Sequence, residues 1–187
     1  MREFLAIEIE EFLKNNIQKT QETIKNTDSC KVNYVKTENI HLTLKFFGEI
    51  NDKQEKQIIK IIEKTIENYK QYTIKLAKIG AFPNINRPRV IWTGIKDKHD
   101  ITIKLIKELD NEFNKIGFKK EKNYVPHITI GRVKEIHDKK LLTDTLKDLK
   151  NEYMGKLEIK SLSLKESQLT PNGPIYTTKK EFKLGEL

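Results

Sequence analysis

Two short segments in which every second residue is apolar constrain the fold of this chain more than any other feature. Residues 41–44 read His-Leu-Thr-Leu and residues 127–130 read His-Ile-Thr-Ile. Successive side chains of a β-strand point to opposite faces, so each segment buries two aliphatic residues and presents His and Thr together. The chain must therefore contain sheets that have one apolar face and one polar face.

The other apolar residues predict strands and helices in alternation. The strands are expected at residues 4–9, 31–35, 40–47, 72–79, 90–95, 128–133, 157–164 and 175–184. Helices are indicated by apolar stripes with helical spacing: Leu13, Ile17, Thr20 and Ile24; Ile58, Ile62, Ile66 and Tyr69; Leu105, Leu109, Phe113 and Ile116; Leu142, Leu146 and Leu149. Asn51 followed by Gln54 is a capping signal ahead of the second helix.

Several neighbouring strands are joined by short turns, which favours an α+β fold with antiparallel sheets over a doubly wound parallel sheet. No linker or low-complexity tract divides the 187 residues. We therefore expect a single domain over residues 1–187, with two tightly joined lobes. Because each His-x-Thr strand follows a helical segment, the two halves are expected to be similar and to face one another.

The charge of the chain favours a polyanionic partner. It has 36 basic and 27 acidic residues and a net charge of +9, and neutralising phosphates with cations releases counterions. The alternative, that lysines and glutamates only solvate helix faces, stays open at this point. Arginine is the better bidentate phosphate ligand, and the chain has only four: Arg2, Arg87, Arg89 and Arg132.

Other classes of protein are disfavoured. No apolar run is long enough to span a bilayer, and Glu3 stands where a signal peptide needs apolar residues. The single cysteine, Cys30, can form neither an internal disulfide nor a thiolate metal cage. We expect a cytoplasmic monomer that does not bind membranes.

The paired His-x-Thr motifs indicate chemistry on an oxyanion. Each presents a titratable imidazole and a hydroxyl donor on a stiff backbone, and His titrates near neutral pH. The alternative is a pair of half-buried histidines with a structural role. His99 and His137 lie beside aspartates near helix starts, so we expect them to be surface or capping residues.

Four blocks, in order along nearly the whole chain, carry a family resemblance. They are NIHLTLKFFG (39–48), GAFPNINRPRVIW (80–92), PHITIGR (126–132) and LTPNGPIY (169–176). Together they resemble the 2H phosphoesterases, specifically the bacterial and archaeal RNA 2′,3′-cyclic phosphodiesterases, also known as 2′-5′ RNA ligases. The resemblance implies a bilobal fold with two antiparallel sheets around a central cleft, with the helices outside.

The resemblance also implies a reaction. Such enzymes hydrolyse the 2′,3′-cyclic phosphate end of RNA, including tRNA fragments, to a 2′-phosphomonoester without a metal or another cofactor. By this likeness His41 is the proton donor and His127 the proton acceptor, although the residues alone do not say which is which. Thr43 and Thr129 would donate hydrogen bonds to the phosphate. Ligation would be the reverse reaction, with a 5′-hydroxyl in place of water.

Two further residues are candidates for binding substrate. Arg132 follows the second motif and could hold the phosphate, but strict alternation would point it away from His127. It therefore needs a bulge or twist at Gly131. Phe47 shares the face of His41 if the strand alternates regularly, and it could stack on the terminal base. A core position for Phe47 is the alternative.

Competing functions remain open on the sequence alone. A non-catalytic module that binds 2′-phosphate or cyclic RNA ends would use the same charge and donors. Hydrolysis of cyclic nucleotides or oligoadenylates is a rival within the family. An ATP-dependent ligase is disfavoured, because there is no P-loop. A metal hydrolase is disfavoured too, since the two motifs lack helical HExxH spacing and a carboxylate cluster.

Overall fold

The computed structural model describes all 187 residues, which form nine β-strands and four α-helices. The strands are β1 (Arg2–Glu8), β2 (Cys30–Tyr34), β3 (His41–Glu49), β4 (Tyr72–Phe82), β5 (Val90–Asp97), β6 (His127–Ile136), β7 (Tyr153–Ile159), β8 (Ser161–Thr170) and β9 (Gly173–Lys183). The helices are α1 (Glu11–Lys25), α2 (Asp52–Ile66), α3 (Ile101–Lys115) and α4 (Lys139–Asp148).

The strands form two antiparallel sheets, which confirms the α+β prediction. The first sheet has the order β3-β1-β8-β9, and the second has the order β2-β6-β5-β4-β7. The strands of the first sheet come from both ends of the chain, so no single cut separates the two lobes. One cluster of 35 buried apolar residues forms the core, and burial of this apolar surface is the main stabilising term.

The capping signal in the sequence correctly predicted where the second helix begins. The Asn51 side chain accepts a hydrogen bond from the Gln54 N–H, and Gln54 Oε1 accepts one from the Asn51 N–H, both at 3.0 Å. This capping box starts α2 as predicted. His99 and His137 are exposed, also as predicted. None of the helices is both long enough and apolar enough to cross a membrane.

The prediction of one strand over residues 157–164 is wrong. Lys160 separates β7 from β8, and the two strands belong to different sheets. Leu157 and Ile159 are buried in one sheet, and Leu162 and Leu164 in the other. Because Ile159 and Leu162 are three residues apart, the period of two breaks where the chain passes between the sheets.

A buried carboxyl group lies where β1 meets α2. Glu3 has no exposed surface, and neither of its side-chain oxygens has a hydrogen-bond partner. Burial, helped by the nearby charge of Glu55, raises the pKa of Glu3 to about 7. Lys179 opposes this shift; it lies 3.8 Å from a carboxylate oxygen of Glu55 and 3.8 Å from one of Glu166.

This carboxyl predicts a loss of stability as pH rises. The pKa is higher in the folded chain than in the unfolded chain, so stability falls as pH rises from about 4.5 to about 7, and the loss is complete above that range. Replacing Glu3 with glutamine should raise the free energy of unfolding by roughly 1–3 kcal/mol at about pH 8, and by much less at about pH 5. Urea unfolding at both pH values measures this. The exposed Glu67→Gln is the control, and equal effects of the two variants would contradict the prediction.

Candidate active site

The two His-x-Thr strands meet although they belong to different sheets. β3 is an edge strand of the first sheet and contacts β6 of the second. The aliphatic residues of both motifs are buried: Leu42, Leu44, Ile128 and Ile130. The two histidines are half-buried. The junction of the sheets therefore presents two imidazoles and two hydroxyls from one chain.

Both imidazoles are held in the same way by the backbone. His41 Nδ1 lies 2.7 Å from the carbonyl oxygen of Asn39, and His127 Nδ1 lies 2.7 Å from that of Val125. A carbonyl oxygen only accepts hydrogen bonds, so Nδ1 carries the proton in both rings. Nε2 is then the atom that can gain or lose a proton. His41 Nε2 lies 2.8 Å from Thr43 Oγ1, whereas His127 Nε2 has no hydrogen-bond partner in the chain.

Aromatic rings support His41. Its ring centroid lies 4.8 Å from that of Phe4 and 5.3 Å from that of Tyr176, and the contact with Tyr176 is edge-on. This packing removes water from one side of the imidazole. Burial is the main reason that the pKa of His41 is lowered, and the Asn39 carbonyl and Glu8 only partly oppose it. The free protein therefore favours the neutral form of His41.

His127 has an equivalent aromatic support. Phe82 packs edge-on against it at 4.9 Å, and the Trp92 ring lies 6.2 Å away. Gly80 makes room for the indole, because a Cβ there would lie 2.4 Å from two ring carbons of Trp92. Trp92 is buried and supports His127.

A β-bulge follows each motif. In β3, Thr43 pairs with Ala6 and Lys45 pairs with Leu5, so Leu44 has no partner. In β6, Ile130 has no partner on β5, because the register shifts between Ile91 and Trp92. Both unpaired residues are the fourth of their motif. Each bulge changes which of the following side chains face outwards.

The bulge in β6 exposes Arg132, as its predicted role requires. Gly131 is buried, and a Cβ on it would lie 2.5 Å from Val32 Cγ1, so this position needs glycine. Arg132 is exposed. Burial raises the pKa of Tyr176, and the positive charge of Arg132 opposes that rise. The charge of Arg132 therefore acts on Tyr176, whose ring contacts His41.

The bulge in β3 corrects the placement of Phe47. Phe47 is 8% exposed and packs edge-on against Phe113 and Phe118, so it is a core residue and cannot stack on a base. Phe46 is 45% exposed instead. It pairs with Phe4, so it lies on the face of the sheet that carries His41. The Arg2 guanidinium lies over its ring at 4.9 Å.

A buried ion pair joins β3 to the segment that leads to His127. Lys45 Nζ lies 2.6 Å from Asp110 Oδ1, and both side chains are at most 5% exposed. Lys45 also donates to the Lys119 carbonyl at 2.6 Å. Asp110 Oδ2 accepts from the Glu121 N–H at 2.8 Å and from the Tyr124 hydroxyl at 2.6 Å.

This network was not predicted, although a lysine within an apolar strand was its signal in the sequence. Burial alone would raise the pKa of Asp110, but the hydrogen bonds from Lys45, Tyr124 and the Glu121 N–H outweigh it and lower the pKa. The network fixes the segment before His127. No group of three or more His, Cys, Asp or Glu side chains is arranged to hold a metal ion.

Comparison with known proteins finds relatives over nearly the whole chain. The family model described as LigT-like phosphoesterase matches residues 7–92 and 96–176. A Methanothermobacter thermautotrophicus protein named RNA 2′,3′-cyclic phosphodiesterase is 38% identical, over 98% of this chain and 99% of its own. A Methanocaldococcus jannaschii protein of the same name is 44% identical, over 97% of this chain and 100% of its own.

Solved structures show the same fold. A Thermus thermophilus protein superposes with a TM-score of 0.78 at 21% identity, covering 98% of both chains. E. coli LigT complexed with 3′-AMP superposes with a TM-score of 0.75 at 21% identity, covering 98% of this chain and 97% of its own. The match of the family model and the identity to full-length relatives assign the chain: it belongs to the LigT-like phosphoesterase family.

Proposed function

We propose that this chain hydrolyses the 2′,3′-cyclic phosphate ends of RNA to 2′-phosphomonoesters by two-histidine acid–base catalysis. The observation that carries the proposal is the matched pair of imidazoles at the junction of the sheets. Both have Nδ1 hydrogen-bonded to a backbone carbonyl, which makes Nε2 the atom that gains or loses a proton. In the free protein His41 Nε2 contacts the Thr43 hydroxyl, which a bound phosphate would displace. The names of the two archaeal relatives support the choice of substrate.

The chemistry requires one base and one acid. Opening the ring needs a base that takes a proton from water and an acid that gives one to the departing 3′ oxygen, and the P–O3′ bond breaks as the new P–O bond forms. We propose His127 as the acceptor and His41 as the donor. The lowered pKa of His41 favours its neutral form in the free protein. The anionic phosphate of a bound substrate would raise that pKa and restore the proton.

The neighbouring groups have roles in the same proposal, in which they would hold the substrate. We propose that the hydroxyls of Thr43 and Thr129 donate hydrogen bonds to the non-bridging phosphate oxygens, and that Arg132 neutralises the phosphate charge. Phe46, rather than Phe47, offers an exposed ring for the terminal base, since stacking accepts any base.

Removing either hydroxyl should weaken binding of the transition state. Thr43→Ala and Thr129→Ala are each expected to lower kcat/KM by about 1–3 kcal/mol in transition-state free energy, the range for a lost hydrogen bond to a charged group. Steady-state kinetics on a 2′,3′-cyclic nucleotide measures this. Thr43→Ser and Thr129→Ser keep the hydroxyl and serve as controls. If all four variants matched the parent, the threonines would only stabilise the strands.

A non-catalytic module that binds RNA ends is the alternative to an enzyme. Incubating the protein with a 2′,3′-cyclic mononucleotide distinguishes the two, because both bind the compound but only the enzyme releases a phosphomonoester. We expect product to accumulate over many turnovers. Saturable binding without product would contradict the proposal.

The same proposal covers the oligomeric state, the location in the cell, the range of substrates and the reverse reaction. Because one chain supplies both histidines and both threonines, a monomer suffices for catalysis. Cys30 is a free thiol, which is compatible with a reducing cytoplasm. Ends of cleaved tRNA fall within the proposed substrate class. Ligation would use the same residues in reverse, with a 5′-hydroxyl replacing water.

A further inference from the structure

Two surface depressions flank the stacked pair of Arg2 and Phe46. Arg2 lines the first, together with Glu49, Glu166, Ser167, Gln168, Leu169 and Thr177. Phe46 lines the second, a groove of about 550 Å³ whose other residues include Lys119, Lys120 and Lys122. Phe46 pairs with Phe4, which contacts His41, so a base stacked on Phe46 would lie on the face of the sheet that carries His41.

A substrate longer than one nucleotide must leave the site through such an opening. A 2′,3′-cyclic phosphate is the 3′ end of an RNA, so the remaining strand continues only from the 5′ oxygen of the terminal nucleotide. A base stacked on Phe46 would place that continuation beside one of the two depressions. The charge of their walls decides which one suits a phosphodiester strand.

The first depression is poorly suited to phosphates, because Arg2 is its only basic residue and it faces Glu49 and Glu166. In the second, the Lys45 charge is already neutralised by Asp110, and Glu121 lies 3.2 Å from Lys45 Nζ. Lys119, Lys120 and Lys122 are exposed and form no salt bridge. The groove therefore has three lysines outside any salt bridge against one excess carboxylate, Glu121, and it is net positive.

The segment that carries these lysines is fixed in place. The Lys119 carbonyl accepts a hydrogen bond from Lys45 Nζ, and the Glu121 N–H donates to Asp110. Side chains on an anchored backbone lose less entropy when they bind than side chains on a loose loop. The same segment leads directly along the chain to His127, the first residue of β6.

We propose that this groove, formed by Phe46, Lys119, Lys120 and Lys122, binds the single-stranded RNA segment on the 5′ side of the cyclic phosphate. The inference rests on the proposed function for the identity of the end, and it adds where the body of the RNA lies. It makes the chain selective for oligonucleotides over cyclic mononucleotides, which have no phosphate to place in the groove.

A charge-matched pair of variants tests the groove. The groove variant, K119Q/K120Q/K122Q, removes three positive charges from the groove. The control variant, K53Q/K56Q/K60Q, removes three positive charges from α2. This helix lies on the other face of the first sheet from His41, because its Glu55 is near Glu3. All six lysines are exposed and none forms a salt bridge, so both variants should fold. The probe is a labelled single strand of about ten nucleotides ending in a 2′-phosphate, a length within the range of single-strand sites. Its affinity is measured by fluorescence anisotropy across salt concentrations.

We expect the groove variant to bind this RNA at least tenfold more weakly than the control variant. The slope of log affinity against log salt should become shallower by about 2, since each phosphate neutralised on a single strand contributes about 0.7. Equal losses in the two variants, or no loss in the groove variant, would overturn the proposal. Because binding needs no turnover, this result stands apart from the proposed function, which fails only if the parent protein opens no cyclic phosphate.

Discussion

Replacing either His41 or His127 with alanine is expected to lower kcat for opening a 2′,3′-cyclic phosphate by about a hundred- to ten-thousand-fold, the usual contribution of a general acid or base. Each imidazole has its Nδ1 hydrogen-bonded to a backbone carbonyl, which leaves Nε2 as the atom that transfers the proton. Alanine should leave the fold intact, because both rings are only half-buried.

The measurement is kcat on a cyclic mononucleotide, with circular dichroism to confirm folding. His99→Ala is the control, because His99 is exposed and lies outside the site. For the parent we expect a bell-shaped dependence of kcat/KM on pH, because one histidine must be neutral and the other protonated. A variant of either site histidine that kept more than a tenth of the parental kcat would not fit its assigned role.

The second large effect concerns stability. Asp110→Ala should lower the free energy of unfolding by about 3–5 kcal/mol, since it removes the buried carboxylate from the Lys45 ammonium and leaves only the exposed Glu121 carboxylate and the Lys119 carbonyl as partners. It also removes the acceptor of the Glu121 N–H and of the Tyr124 hydroxyl. Urea unfolding at neutral pH measures the change.

The double variant Lys45→Met/Asp110→Leu is the matched control for Asp110→Ala. Apolar residues of similar volume often replace a buried ion pair at little cost, so the double variant should recover at least half of the lost stability. A loss below about 1 kcal/mol in Asp110→Ala would mean that water reaches Lys45 and that the pair is not buried in solution.

Regular alternation explains why the motifs were found from sequence. The burial of Leu42, Leu44, Ile128 and Ile130 follows directly from the period of two. The division of residues 157–164 between two sheets was missed because the strands are separated by a single residue, Lys160. The only signal that the chain passes between the sheets was the spacing of its buried residues, which changes from two to three between Ile159 and Leu162.

The two bulges show which features of the strands could be predicted from the local sequence and which could not. Gly131 signalled the bulge that exposes Arg132, because glycine has no side chain to meet Val32. No glycine or proline marks the bulge at Leu44, so Phe47 was assigned the position that Phe46 takes. Lys45 and Asp110 are 65 residues apart, and no local pattern pairs residues over that distance.

Product analysis tests the central claim most directly. A short RNA with a 2′,3′-cyclic phosphate end is incubated with the protein in oxygen-labelled water, and the products are separated and examined by mass spectrometry. The account predicts a single product, the 2′-phosphomonoester, with one labelled oxygen on phosphorus from the water activated by His127. Recovery of unchanged cyclic ends, or of a 3′-phosphomonoester, would contradict it.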